Sequence, residues 1–126
     1  MSMESQITQP QGWSWPDSMD ALVAAPGYHR LLFENDRVRV LEVRIGSGQT
    51  VPVHTHRWPS VVQVKNASDF LRRDGEGKLI FDSRTAGPPQ ETPDFAWTPP
   101  LPPHSVENIG SAEILLLTVE LKDKAD

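Results

Sequence analysis

From residue 31 onward, apolar and polar positions alternate with a period of two, the pattern of half-buried β-strands. The stretch 37–45 sets Arg37, Arg39, Leu41, Val43 and Ile45 on one face and Val38, Val40, Glu42 and Arg44 on the other. Its β-branched content and the Gly46-Ser47-Gly48 stop predict a strand. Residues 50–56 predict a second strand, in which Pro52 marks an edge, a bulge or the start of pairing. Residues 60–64 form a short apolar third strand, and 113–121 a buried last one. Between them, 70–73 and 78–81 flank Asp74-Gly75-Glu76-Gly77, a hairpin with two glycines available for positive φ. Residues 86–103 are crowded with proline and predict extended loop around a short strand at 95–97.

The first thirty residues follow a different pattern. Residues 17–25 read as a short helix, capped by Asp17 or Ser18 and stopped by Pro26-Gly27. Trp13 and Trp15 are expected to pack this arm onto the body or onto a second subunit. The chain thus divides into an arm (1–30), a β-domain (31–121) and a solvated polar tail (122–126). Seven or more short strands with turn signals predict an all-β sandwich or barrel.

Composition narrows the chemistry. With 126 residues the chain is expected to form one soluble domain, and no apolar run reaches the length of a membrane span. The N-terminal segment lacks the charged and apolar regions of a secretory signal. The absence of cysteine excludes disulfides, thiolate ligands and a cysteine nucleophile, and fits a cytoplasmic protein. A net charge of −5 argues against nucleic acid as a partner. There is no glycine-rich phosphate loop, and Asp82-Ser83-Arg84 has no nucleophile elbow around it.

The candidate chemistry lies in the histidines. His54 and His56 form an H-x-H pair, which on a strand puts both imidazoles on one face. His104, from a distant strand, can join them on one divalent metal. The fourth, His29, is expected at the surface. Glu42, Arg44, Arg72 and Arg73 are strand charges expected mostly to face solvent, with anion binding at a barrel mouth as the alternative role. Trp58 and Trp97 flank the two ligand segments and are expected to pack in a core or interface.

Two stretches resemble the cupin motifs. Gly48, five residues, His54, one residue and His56 resemble the first half of the first motif. Pro99, four residues, His104, three residues and Asn108 resemble the end of the second. The resemblance covers roughly 31–121 and implies a double-stranded β-helix, or jelly roll, with the metal inside the barrel. Where the pattern has a metal-ligand Glu after the second His, this chain has Ser60 and Val61. Glycines of the two motifs are replaced by Ala67 or Ser68, by Pro93 and by Leu101.

The resemblance implies a metal site of His54, His56 and His104, with Asn108 bracing the turn after the last ligand. Gln63 is a candidate weak fourth ligand or substrate contact, if Val61 takes the inward position of the missing Glu. Three-His iron sites in the superfamily imply an iron-dependent, dioxygenase-type reaction on a small organic molecule, with Zn, Ni and Mn as alternative metals. Two other readings are a non-catalytic ligand-binding or sensor cupin, and a metal-free isomerase or epimerase with His as general base. Small cupins commonly pair through their edges, which implies a homodimer.

Overall fold

The computed structural model describes residues 13–86 and 95–122. Residues 1–12, much of the proline-rich segment and the end of the polar tail therefore lie outside the described residues. A 3₁₀ turn at Asp17–Met19 leads into the one-turn helix α1 (Ala21–Ala24). Then come β1 (His29–Glu34), β2 (Val38–Ile45), β3 (Thr50–His56), β4 (Ser60–Asn66), β5 (Phe70–Asp74), β6 (Leu79–Asp82), β7 (Phe95–Thr98), β8 (Leu101–Asn108) and β9 (Ile114–Leu121). They form two antiparallel sheets in the orders β1-β2-β9-β4-β7 and β3-β8-β5-β6.

Alternation decides what is buried. On β2, Arg39, Leu41, Val43 and Ile45 point inward, as the period of two predicts. On β9 the inward set includes Ile114, Thr118 and Glu120. Val43, Ile45, Val51, Ile114 and Ala25 pack into the core, with Phe70, Val106 and Leu116 against it. Full burial of a side chain such as Leu41 stabilises the fold by roughly 2 kcal/mol.

Two turn positions tie the predicted motifs together. Gly48 takes φ +79° after β2, a region that glycine enters without steric cost. Its N–H donates to the carbonyl of Asn108 at 3.0 Å, and the Asn108 N–H donates to the Gln49 carbonyl at 2.9 Å. The start of the first motif is thus bonded to the end of the second. In the β5–β6 hairpin only Gly77 has positive φ, at +90°.

Four expectations are corrected. The residue capping α1 is Asp20, whose carboxylate accepts from the Leu22 N–H at 3.0 Å, and not Asp17 or Ser18. The β-domain begins at His29, inside the segment read as the arm. Residues 101–103 are strand, not loop: β8 accommodates Pro102 and Pro103 because its pairing with β3 slips there. His56 faces Leu101 and His54 faces His104, so β8 carries one extra residue, and a bulge removes the ladder hydrogen bond that a proline cannot supply. The reverse bulge surrounds Pro52 on β3, an edge strand of its sheet. Lastly, Lys122 is held in place, its Nζ donating to Glu34 at 2.6 Å and to the Asn35 carbonyl at 2.7 Å.

Candidate metal centre

Every strand except β6 contributes to the lining of a cavity of about 350 Å³ between the sheets. Its walls are mainly Val, Ile and Leu, and its polar residues include four histidines. The volume is that of a small-molecule site.

The two bulges aim two of the rings. His54 Nδ1 donates to the Pro52 carbonyl at 2.7 Å, and His104 Nδ1 donates to the Pro102 carbonyl at 2.8 Å. The two residues are register partners across β3 and β8, and their ring centroids lie 4.4 Å apart. His56, next inward on β3, has its Nδ1 3.0 Å from Glu120 Oε2 and its ring 5.0 Å from that of His54. His29 opens β1, pairs with Val43 and donates its Nδ1 to the Ala25 carbonyl at 3.0 Å. Its ring lies 4.9 Å from His54 and 5.4 Å from His56.

All four Nδ1 atoms are therefore committed to carbonyl or carboxylate acceptors. A carbonyl only accepts, so His29, His54 and His104 carry their proton on Nδ1 and present the Nε2 lone pair. Burial, opposed by the Ala25 hydrogen bond, lowers the His29 pKa to about 4. Burial, with the neighbouring His104 and His56, lowers His54 to about 2. Burial, opposed by the Pro102 hydrogen bond and joined by the His56 and Arg72 charges, lowers His104 to about 3. Neutral imidazoles with free lone pairs are the state in which histidine binds a metal. The ligand atoms of His29, His54 and His56 lie within 4.8 Å of one another, so these three could hold a metal ion.

Behind His56 runs a chain of buried charges. Arg39 Nε donates to Glu120 Oε1 at 2.6 Å, and its two terminal nitrogens clamp Asp20 at 2.9 and 2.8 Å. Glu120 is completely buried. Burial raises its pKa, but His56 and Arg39 outweigh that and hold it below the ordinary carboxylate range. Burial likewise opposes the Arg39 charge, while its bonds to Asp20 and Glu120 raise its pKa overall. Arg39 also lies 5.1 Å from the Trp58 ring centroid.

The rings of His54, His56 and His104 lie within 5.7 Å of one another, and His29 joins them; the compact set of ligand atoms is His29, His54 and His56, with His29 in the place expected of His104. The expected surface position of His29 is wrong: the residue is 6% exposed. β1 concealed it, because its other five residues are all exposed and the strand shows no alternation. Gln63 is also corrected. Ser60, Val62 and Val64 line the cavity, so alternation turns Val61 and Gln63 to the opposite face of β4. The inward position of the missing Glu belongs to Ser60, which is 5% exposed.

Glu120 escaped notice as one acidic residue near the end of an apolar strand. It stands opposite Ser60 in the β4–β9 register and opposite Arg39 in the β2–β9 register. A carboxylate thus lies one strand away from that position, bonded behind the His56 ring. An Arg and a Glu on the inward faces of two strands were the available signal, because buried charges require partners. Asn108, fully buried, donates to the Ile45 and Ala112 carbonyls at 2.9 and 2.8 Å and accepts from Gly110 N–H at 3.0 Å.

No protein-family model matches the sequence, and no curated protein matches it either. Solved structures do. A cupin domain from Bordetella pertussis Tohama I is 24% identical, with a TM-score of 0.55 over 75% of this chain and 91% of that one. An RmlC-like cupin with a double-stranded β-helix fold from Methanocaldococcus jannaschii is 10% identical, with a TM-score of 0.52 over 75% and 79%. The polyketide cyclase RemF from Streptomyces resistomycificus is 19% identical, with a TM-score of 0.50 over 83% and 74%. With its two antiparallel sheets closed around a histidine-lined cavity, this chain has the cupin fold, a double-stranded β-helix.

Proposed function

We propose that this protein is a divalent-metal cupin enzyme whose ion is held by Nε2 of His29, His54, His56 and His104, and that it carries out a dioxygenase-type reaction on a small, largely apolar molecule. The observation that carries the reading is the commitment of all four Nδ1 atoms to acceptors, which leaves four Nε2 donors for the cluster. Outer partners of this kind accompany metal-binding histidines and fix their tautomer and aim. His29 supplies the donor that the first motif lacks at Ser60. Iron is the proposed metal, with Zn, Ni and Mn as alternatives that the same ligands would accept.

A bound ion would supply positive charge to an anionic substrate oxygen and, if redox-active, electrons to dioxygen. The chain's own residues do the rest. Apolar walls exclude water from the substrate, and Glu120 holds the His56 Nδ1 proton while Arg39 holds Glu120. Elemental analysis of wild type, His54→Ala and His104→Ala, followed by oxygen-uptake screening, tests the reading. Protein that stays metal-free after reconstitution would sink it.

One observation favours a second reading, metal-free proton transfer of the isomerase or epimerase kind. His56 and Glu120 form the His–carboxylate dyad that a general base requires, at 3.0 Å. Turnover that survives chelation but not Glu120→Gln would select this alternative.

A further inference from the structure

Besides the histidines, two of the described residues that line the cavity carry a buried polar atom with no partner. Ser68, Phe70 and Arg72 follow one another at every second position and all line it. Ser68 Oγ and Arg72 Nε are buried and have no hydrogen-bond partner. The neighbouring Arg73, on the other face of β5, behaves in the ordinary way and pairs with Glu107 at 2.9 Å.

Arg72 contacts the Phe70 ring, 5.8 Å from its centroid, and makes no ion pair among the described residues. Among the described lining residues it is the one permanent charge, and none is Asp or Glu. Burial lowers its pKa with nothing opposing. A guanidinium that is partly desolvated and has no counter-ion carries a cost, and a carboxylate that accepts its N–H bonds offsets it. One cation in an apolar cavity matches a single negative charge, whereas a phosphate dianion would need more.

We propose that Arg72 forms an anion subsite and that the ligand of this protein is a small monocarboxylate with an apolar body. The carboxylate binds Arg72, and Phe70 packs against the apolar part. β5 and β8 place Arg72 two register pairs along from His104, on the same face: Arg72 faces Val106, and Asp74 faces His104. The carboxylate end thereby approaches the imidazole cluster. The inference rests on the reading of this cavity as the reactive site, but the charge recognition is independent of the metal.

The test is calorimetric titration of the full chain with hexanoate and benzoate against hexanamide and benzamide, both metal-loaded and chelator-stripped. Wild type is expected to bind the acids about ten- to a hundredfold more tightly than the amides in both states. Arg72→Met should abolish that preference without changing metal content, Arg72→Lys should keep part of it, and Arg73→Met should keep all of it. Equal binding of acid and amide by wild type overturns the proposal, as does a preference that survives Arg72→Met. A preference lost on stripping the metal overturns it while leaving the metal reading intact. An Arg72-dependent preference in a protein that never binds metal upholds it and sinks the metal reading. If Arg72→Met does not fold, the acid-to-amide ratios of wild type and Arg72→Lys decide.

Discussion

His54 and His104 face each other across β3 and β8, and each ring is tied to the carbonyl of a proline two residues before it, Pro52 and Pro102. The arrangement repeats in a local sequence Pro-x-His on both strands. In each case a bulge frees the proline from the ladder and turns the following imidazole inward.

Metal binding should therefore need His54 and His104 equally. Reconstituted wild type is expected to hold about one ion per chain and each alanine variant far less. His29→Ala separates a centre of four imidazoles from the three of the cupin-like spacing. It should weaken affinity, as read by competition with a chromophoric chelator. Unchanged affinity would exclude His29 as a ligand.

Glu120→Gln removes the charge behind His56 while keeping its shape. Metal affinity should fall about ten- to a hundredfold, the usual effect of losing an outer partner. Stability should suffer more in Arg39→Met, which strands Asp20 and Glu120 without their cation. A loss of about 3–5 kcal/mol is expected in urea unfolding.

Metal-free protein should be acid-sensitive. His29, His54 and His104 have folded pKa values of about 4, 2 and 3, below the ordinary 6.5. The unfolded chain binds protons first, so their full contribution is present above pH 6.5 and is lost as pH falls toward the folded values. Each histidine tilts stability by up to about 1.4 kcal/mol per pH unit in that window. Circular dichroism should show stability falling as the pH drops below the ordinary histidine value of 6.5. Replacing His54 with Gln should make that fall shallower.

Asn108→Ala should cost about 2–3 kcal/mol, because it leaves the Ile45 and Ala112 carbonyls and the Gly110 N–H without their partner. Thermal melting measures the loss. Asn108→Asp should be no milder, since a carboxylate cannot donate to two carbonyls.

Much of the strand framework was legible because alternation and turn glycines report directly on pairing. The 50–56 strand has the predicted bounds, and the H-x-H pair does share a site. What local pattern could not show was set by partners far away in sequence. The prolines of β8 read as loop, and only the slipped pairing with β3 makes them strand. Gln63 was placed by supposing that Val61 faced inward, and one position of phase reversed it. His29 gave no signal on an edge strand, and the importance of Glu120 depends on Arg39, 81 residues earlier.

The N-terminal segment has a further consequence. Its Ala25 carbonyl orients His29, and its Asp20 anchors Arg39, which in turn holds Glu120 behind His56. Two of the four imidazoles are thus steered from a stretch that precedes both cupin-like motifs. On the proposed metal reading the segment is a clasp, and fastening it completes the ligand set. Loading the ion should then slow amide exchange at residues 20–25, although none of them donates to it.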